Sequence, residues 1–263
     1  MPGNGAIASV LPANSITLFV VPSDDQGAKP EIAAVVNGAS YQPDVAPGTI
    51  VAIFGQALGP AVLASGTVNA ASMIETQAAG VRVLFDGVAA PVLYVREDQV
   101  GAVVPYAAAF RSTAHVQVEY QGRRSAPFDV GIKPVAPGIF TAAANGQGNA
   151  AALNGNGPAN SIMNPAPAGS VIVLYATGEG ETDVQGVDGR VALDILPVPK
   201  ASVQVKIGGK DADIQYAGAA PGAIAGALQV NATVLAGVGP GLVPVKLIVG
   251  GKEIADGVTI AVR

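Results

Sequence analysis

The chain has 263 residues, half of them hydrophobic and only 13% charged, which is core material enough for about two domains of ~100–150 residues each. A formal net charge of −5 and a pI near 4.8 argue against nucleic acid and against an anionic membrane surface, both of which need a clustered basic face. With no cysteine there is no disulfide, thiolate metal site or cysteine nucleophile, and no apolar run approaches the ~20 residues that span a bilayer.

Gly (34) and Pro (20) are abundant, and the apolar set is dominated by Val, Ala and Ile, a composition of short strands joined by tight turns. After a small, polar start, Ile16-Thr17-Leu18-Phe19-Val20-Val21 reads as a strand apolar on both faces and bounded by Pro12 and Pro22. The polar stretch Ser23–Pro30 is a linker. A strand followed at once by a linker is expected of the last strand of an upstream domain. Leu11-Pro12…Ser15-Ile16-Thr17 also resembles the closing strand of the β-sandwich attached to many glycoside hydrolase barrels. The alternatives are docking on the first sandwich of this chain or donation to a neighbouring molecule.

From Ile32 the chain reads as short strands: Ile32–Val36, Thr49–Gly55, a hairpin over 81–94 turning at Asp86-Gly87, then Gln99–Val104, Ala114–Tyr120 and Phe128–Ile132. Gln56–Gly80 is loose, with Ala70–Ala79 the only stretch with helical character. Pro134-Val135-Ala136-Pro137-Gly138-Ile139-Phe140-Thr141 is a stiff joint, anchored by Ile139 and Phe140.

Beyond the joint the same grammar returns. Val203-Gln204-Val205-Lys206-Ile207-Gly208-Gly209, ending at Tyr216, repeats Val81-Arg82-Val83-Leu84-Phe85-Asp86-Gly87, ending at Tyr94; 81 to 203 and 94 to 216 are both 122 apart. A fixed internal period points to one unit occurring twice. The expectation is an all-β tandem of two immunoglobulin-like β-sandwiches: residues 1–29 an N-terminal strand and linker, 30–141 the first sandwich, 142–263 the second.

Gly48, the strand after it, the 81–94 hairpin and Val116–Gly122 resemble the TIG/IPT class of immunoglobulin-like domain. Asn37-Gly38-Ala39-Ser40-Tyr41, Ala46-Pro47-Gly48, Ala136-Pro137-Gly138-Ile139-Phe140 and Leu174-Tyr175-Ala176-Thr177-Gly178 are similar to the Solibacter-type uncharacterised C-terminal domain of large secreted acidobacterial proteins. That resemblance covers roughly residues 32–263. It implies an extracellular, C-terminal, two-lobed β-module, joined to an upstream domain, and it brings no activity or catalytic residue.

Candidate chemistry is sparse. His115, the single histidine, sits on the outward face of a strand without a Gly-x-Ser-x-Gly elbow, so a surface role is expected. Gly146-Gln147-Gly148 and Gly178-Glu179-Gly180 lack the Lys-Ser/Thr of a phosphate loop and read as turn glycines. Arg123-Arg124 reads as a solvated hairpin end. Glu179, Glu181, Asp183 and Asp188 cluster on one Gly-rich loop. A glycosidase pair would want aromatic platforms beside it, and Trp is absent. A solvated acidic loop is one reading; calcium, the one cofactor considered, is the other, since hard oxygen ligands on such a loop can wrap a cation. Phe54, Phe85, Tyr94, Tyr120, Tyr175 and Tyr216 fall at core-facing positions. Tyr41, Tyr106 and Phe110 lie in loops and are the candidate ligand-binding aromatics.

The expected role is that of a non-catalytic accessory, spacer or surface-attachment module at the C-terminus of a secreted bacterial protein, with a polysaccharide or cell-surface component as partner. A carbohydrate-binding module and a self-assembling surface subunit are the alternatives.

Overall fold

The computed structural model describes residues 28–155, 157–254 and 256–263, so the strand expected at Ile16–Val21 lies outside the described residues. The fold is all-β and built from antiparallel sheets, as expected. The first half carries β1 (Glu31–Asn37), β2 (Ile50–Gln56), β3 (Ala64–Ser65), β4 (Val81–Phe85), β5 (Val88–Ala90), β6 (Val92–Val95), β7 (Gln99–Val103), β8 (Thr113–Tyr120), β9 (Arg123–Arg124) and β10 (Phe128–Gly131). A 3-10 helix spans Tyr106–Phe110 between β7 and β8. The second half carries β11 (Gly138–Ile139), β12 (Gly148–Asn149), β13 (Ala152–Asn154), β14 (Val171–Thr177), β15 (Val203–Ile207), β16 (Lys210–Asp211), β17 (Ile214–Ala219), β18 (Leu228–Thr233), β19 (Gly241–Val249), β20 (Lys252–Glu253) and β21 (Val258–Val262).

In the first half one sheet runs β1-β2-β7-β6-β3 and the other β10-β8-β4-β5. In the second half one runs β11-β14-β18-β17, with β13 on β14, and the other β12-β21-β19-β15-β16. Among the described residues every strand pair is antiparallel except the short contact of β12 with β21, and the single bridges Val45 to Ile132 and Ala166 to Val262 are also parallel. The period-2 pattern explains the layers. Ala114, Val116 and Val118 of β8 point into one core, with Val81, Val83 and Phe85 of β4 and Val51 and Ile53 of β2. Val245, Leu247 and Val249 of β19 point into a second, with Val205 and Ile207 of β15 and Ile172, Leu174 and Ala176 of β14. Full burial of each large aliphatic contributes about 1.5–3 kcal/mol.

The turns follow from the sequence. Asp86 and Gly87 (φ 48° and 84°), Gln121 and Gly122 (50° and 75°), Gly208 and Gly209 (58° and 80°), and Gly250 and Gly251 (55° and 79°) all hold positive φ at both central residues. That is the hairpin geometry whose twist matches the flanking strands. Both members of the 122-residue pair carry a bulge, between Val92 and Tyr94 opposite β7 and between Ile214 and Tyr216 opposite β18. Tyr94 lies over Gly101 of the facing strand, Tyr216 over Gly218 of its own.

Three expectations are corrected. The hairpin over 81–94 is not two strands of one sheet: β5 pairs with β4, and after Pro91 the chain crosses so that β6 pairs with β7 in the opposite sheet. Pro91 has no N–H to offer a ladder, which makes it the natural crossing point. Ala70–Ala79 is not helical; it is a run of turns and single bridges, including Val68 to Ile74 and Met73 to Arg190. Of the six aromatics assigned to the core, Phe85 is fully buried in it and Tyr120, half-buried, packs against it, whereas Phe54, Tyr94, Tyr175 and Tyr216 are half-buried and belong to neither core. Among the described residues no helix is long and apolar enough to cross a membrane.

Candidate functional site

The site grows from the loop after β14. Thr177, at the strand's end, is fully buried and faces the other half of the chain: its hydroxyl accepts from the Ile50 N–H at 2.9 Å and donates to the Gly226 carbonyl at 2.7 Å. The backbone around it is packed too closely for side chains. A Cβ on Gly226 would fall inside the Gly48 carbonyl, one on Gly178 inside that of Ala136, and one on Gly180 inside that of Pro134. The buried Asn37 side chain donates to the Ala136 carbonyl at 2.7 Å and accepts from the Ala39 and Ser40 amides. The loops beyond join in, Ile74 N–H reaching the Gly189 carbonyl at 2.7 Å and Val191 N–H the Ser72 carbonyl at 2.9 Å. Together these contacts form a continuous seam between residues of the first and second halves.

Tyr106 is the centre of that seam. Its ring is wedged between Gly48 and Gly186, positions where a Cβ would collide with it. Its backbone N–H donates to Asp188 Oδ1 at 2.8 Å, which caps the start of the 3-10 helix from across the seam. Beneath it lies Glu179, 4% exposed, with Oε2 buried and unpartnered. Burial pushes the Glu179 carboxyl up to about 7, against the pull of the Glu179 and Gly178 amides. Burial likewise raises the Tyr106 phenol, with the Glu179 and Asp188 carboxylates adding to the effect, and it raises Asp188 against the opposing Tyr106 amide bond. Glu179, Tyr106, Thr182, Val187, Arg190 and Ala225 are among the walls of an apolar cavity with about 20 Å³ of water-accessible space.

Outside this cavity, and sharing Tyr106, Thr182, Gln185 and Gly186 with it, is an open groove of about 270 Å³. Phe110, Glu181, Asp183 and Lys200 complete its walls. Phe110 is 91% exposed.

The predicted residues therefore part company. Tyr106, Phe110, Glu181 and Asp183 meet at one groove. Tyr41 does not join them; it is half-buried, its ring 6.2 Å from that of Phe54 and its hydroxyl donating to the Ala144 carbonyl. The four carboxylates considered for calcium do not converge, and among the described residues no three acidic or histidine side chains do. Each is engaged elsewhere. Glu179 is turned into the seam, and Glu181 faces Lys200 at 3.6 Å. Asp183 Oδ1 accepts from the Val184 and Val198 amides at 2.7 and 2.9 Å, bonds that pull its carboxyl below the usual range. Asp188 holds Tyr106. His115 is exposed and pairs with Asp129 at 2.6 Å, and Arg124 pairs with Glu119 at 2.9 Å, both surface contacts as expected. Sequence reading missed Thr177, Gly186 and Gly226; the glycine-rich spacing around them was the available signal.

Comparison with protein-family models and with curated proteins finds no match.

Proposed function

We propose that the chain is a non-catalytic accessory module of a secreted protein, a stiff two-unit spacer that carries a binding or attachment surface. The observation that carries this is the seam. The Ile50–Thr177, Tyr106–Asp188, Ile74–Gly189 and Val191–Ser72 hydrogen bonds and the close approach of Gly226 to Gly48 join two separately cored halves directly rather than through a loose linker. Relative motion is the default across a polar interface between units, and here it is opposed by main-chain atoms packed too closely to slide past one another.

The reading as two copies of one unit is supported by the matching order of strand pairing, by glycine turns at 87 and 209, and by bulges at 92–94 and 214–216. A duplicated immunoglobulin-like sandwich is consistent with all three. The resemblance to the Solibacter-type C-terminal domain supports placement at the end of an extracellular protein, and the residues that carry it include Asn37, Ala136, Thr177 and Gly178, all of them described at the seam.

The test is a distance measurement. The chain has no cysteine, so Val88→Cys and Leu242→Cys, exposed positions on the two halves, give a uniquely labelled pair. Pulsed electron–electron resonance should return one narrow distance distribution that broadens in Gly226→Ala. A broad distribution in the otherwise native chain would sink the spacer reading.

A further inference from the structure

We infer that the groove between Phe110 and Lys200 is a saccharide-binding site that takes one pyranose ring of a polysaccharide, with Phe110 as its platform. A single exposed aromatic is ordinary and needs no explanation. Phe110 differs in how it is held. The 3-10 helix that ends in it is fixed at its start by Asp188 through the Tyr106 N–H, in its middle by the buried Ala108, and behind by Arg111, which reaches Asp86 at 3.5 Å. The ring is thus presented to solvent by a backbone with little freedom left, so a ligand that covers it has to order the side chain alone and not the segment that carries it.

The rest of the groove matches the chemistry of a sugar. A pyranose has an apolar face of C–H bonds that packs on an aromatic ring, and a polar rim of hydroxyls that both donate and accept. The wall opposite Phe110 supplies both kinds of partner. Asp183 spends only Oδ1 on the Val184 and Val198 amides, which fixes its carboxylate in place and leaves Oδ2 outside those bonds. Glu181 and Lys200 stand 3.6 Å apart and about half-exposed, a loose pair that a hydroxyl can enter. Gln185 adds an amide. A volume of about 270 Å³ lies at the low end of small-molecule sites, ~300 Å³ and upward, which suits a single ring of a longer chain better than a large compact ligand. The alternating acceptors and donor, with no basic cluster, favour a neutral sugar over an anionic one.

This inference rests on the spacer reading in one respect, because the groove spans the seam, with Tyr106 and Phe110 from the first half and Glu181, Asp183 and Lys200 from the second; a narrow distance distribution between the halves together with no sugar response rejects the saccharide site and leaves the spacer standing. The experiment is amide chemical-shift mapping of the intact chain with cellohexaose, xylohexaose, mannohexaose and chitohexaose in turn. At least one should shift Ala109, Phe110, Gln185 and Gly186 together. Phe110→Ala should weaken that binding about tenfold or more while Phe110→Tyr retains it, a loss that corresponds to removing the platform. Tyr41→Ala, at a distant site, should leave it unchanged. Phe110 is exposed, so its variants keep the native melting temperature. No response to any of the four sugars, or a response indifferent to Phe110→Ala, overturns the proposal.

Discussion

Glu179 concentrates the unusual electrostatics of the molecule in one side chain. Its carboxyl is protonated in the fold up to a pH of about 7, whereas in the unfolded chain it ionises near ~4.3. The unfolded state therefore releases its proton first as pH rises. The stability tied to the neutral carboxyl is fully present below pH ~4.3, declines from there to about pH 7, and is then lost, a change of at most ~4 kcal/mol. Asp188, also raised by burial, acts in the same direction. Asp183 acts oppositely and in more acid solution, because its lowered carboxyl loses the Val184 and Val198 bonds only as it protonates. Urea unfolding followed from about pH 5 to about pH 8 should show a falling midpoint, and Glu179→Gln, neutral throughout, should flatten most of that slope. An unchanged slope in the variant would remove Glu179 from the account. None of this was legible in the sequence. Gly178-Glu179-Gly180-Glu181-Thr182-Asp183 reads as a solvated acidic loop, and only the fold reveals that the first acid points inward and the others outward.

At the scale of the elements, two classes of glycine separate cleanly. Gly87 and Gly209 hold positive φ in open space, where an added Cβ meets nothing within 4 Å. Gly87→Ala and Gly209→Ala should each cost about 1–2 kcal/mol, the price of a left-handed conformation alone. Gly226→Ala must also displace the Gly48 carbonyl, so it should lower stability by more than either turn variant, which chemical denaturation of the three side by side will measure. The turn class was readable in advance, because Asp-Gly, Gly-Gly and Gln-Gly between alternating apolar residues is a local signal. Most strand positions were readable for the same reason. What local pattern could not convey was which sheet a strand joins. Val88–Tyr94 is one continuous apolar run and reads like one strand, yet Pro91 divides it between two sheets. Likewise Tyr106-Ala107-Ala108-Ala109-Phe110 carries no helical period, and it turns because Asp188, 82 residues away, caps it.

Across the whole molecule, the two cores are coupled through the seam, and the coupling should be visible in the unfolding transition. Calorimetry of the native chain should give one cooperative transition; Thr177→Val, which removes both the Ile50 and Gly226 bonds, should separate it into two or broaden it clearly. A variant transition as sharp as the native one would mean that the seam does not couple the halves. The seam is the part of the fold least accessible from sequence, since its partners are far apart along the chain, 82 residues for Tyr106 and Asp188 and 127 for Ile50 and Thr177, and several are main-chain atoms with no side chain to mark them.

The bond from the Ile50 N–H to Thr177 has one more use. That amide belongs to the first half but is shielded by a hydroxyl of the second, so deuterium can replace its proton only when the two part company or when the first half melts outright. Its replacement rate, set beside that of a neighbouring β2 amide tied only within its own sheet, gives the free energy of parting directly. The chain thereby contains its own gauge of how firmly it is closed, readable without a label or a substitution.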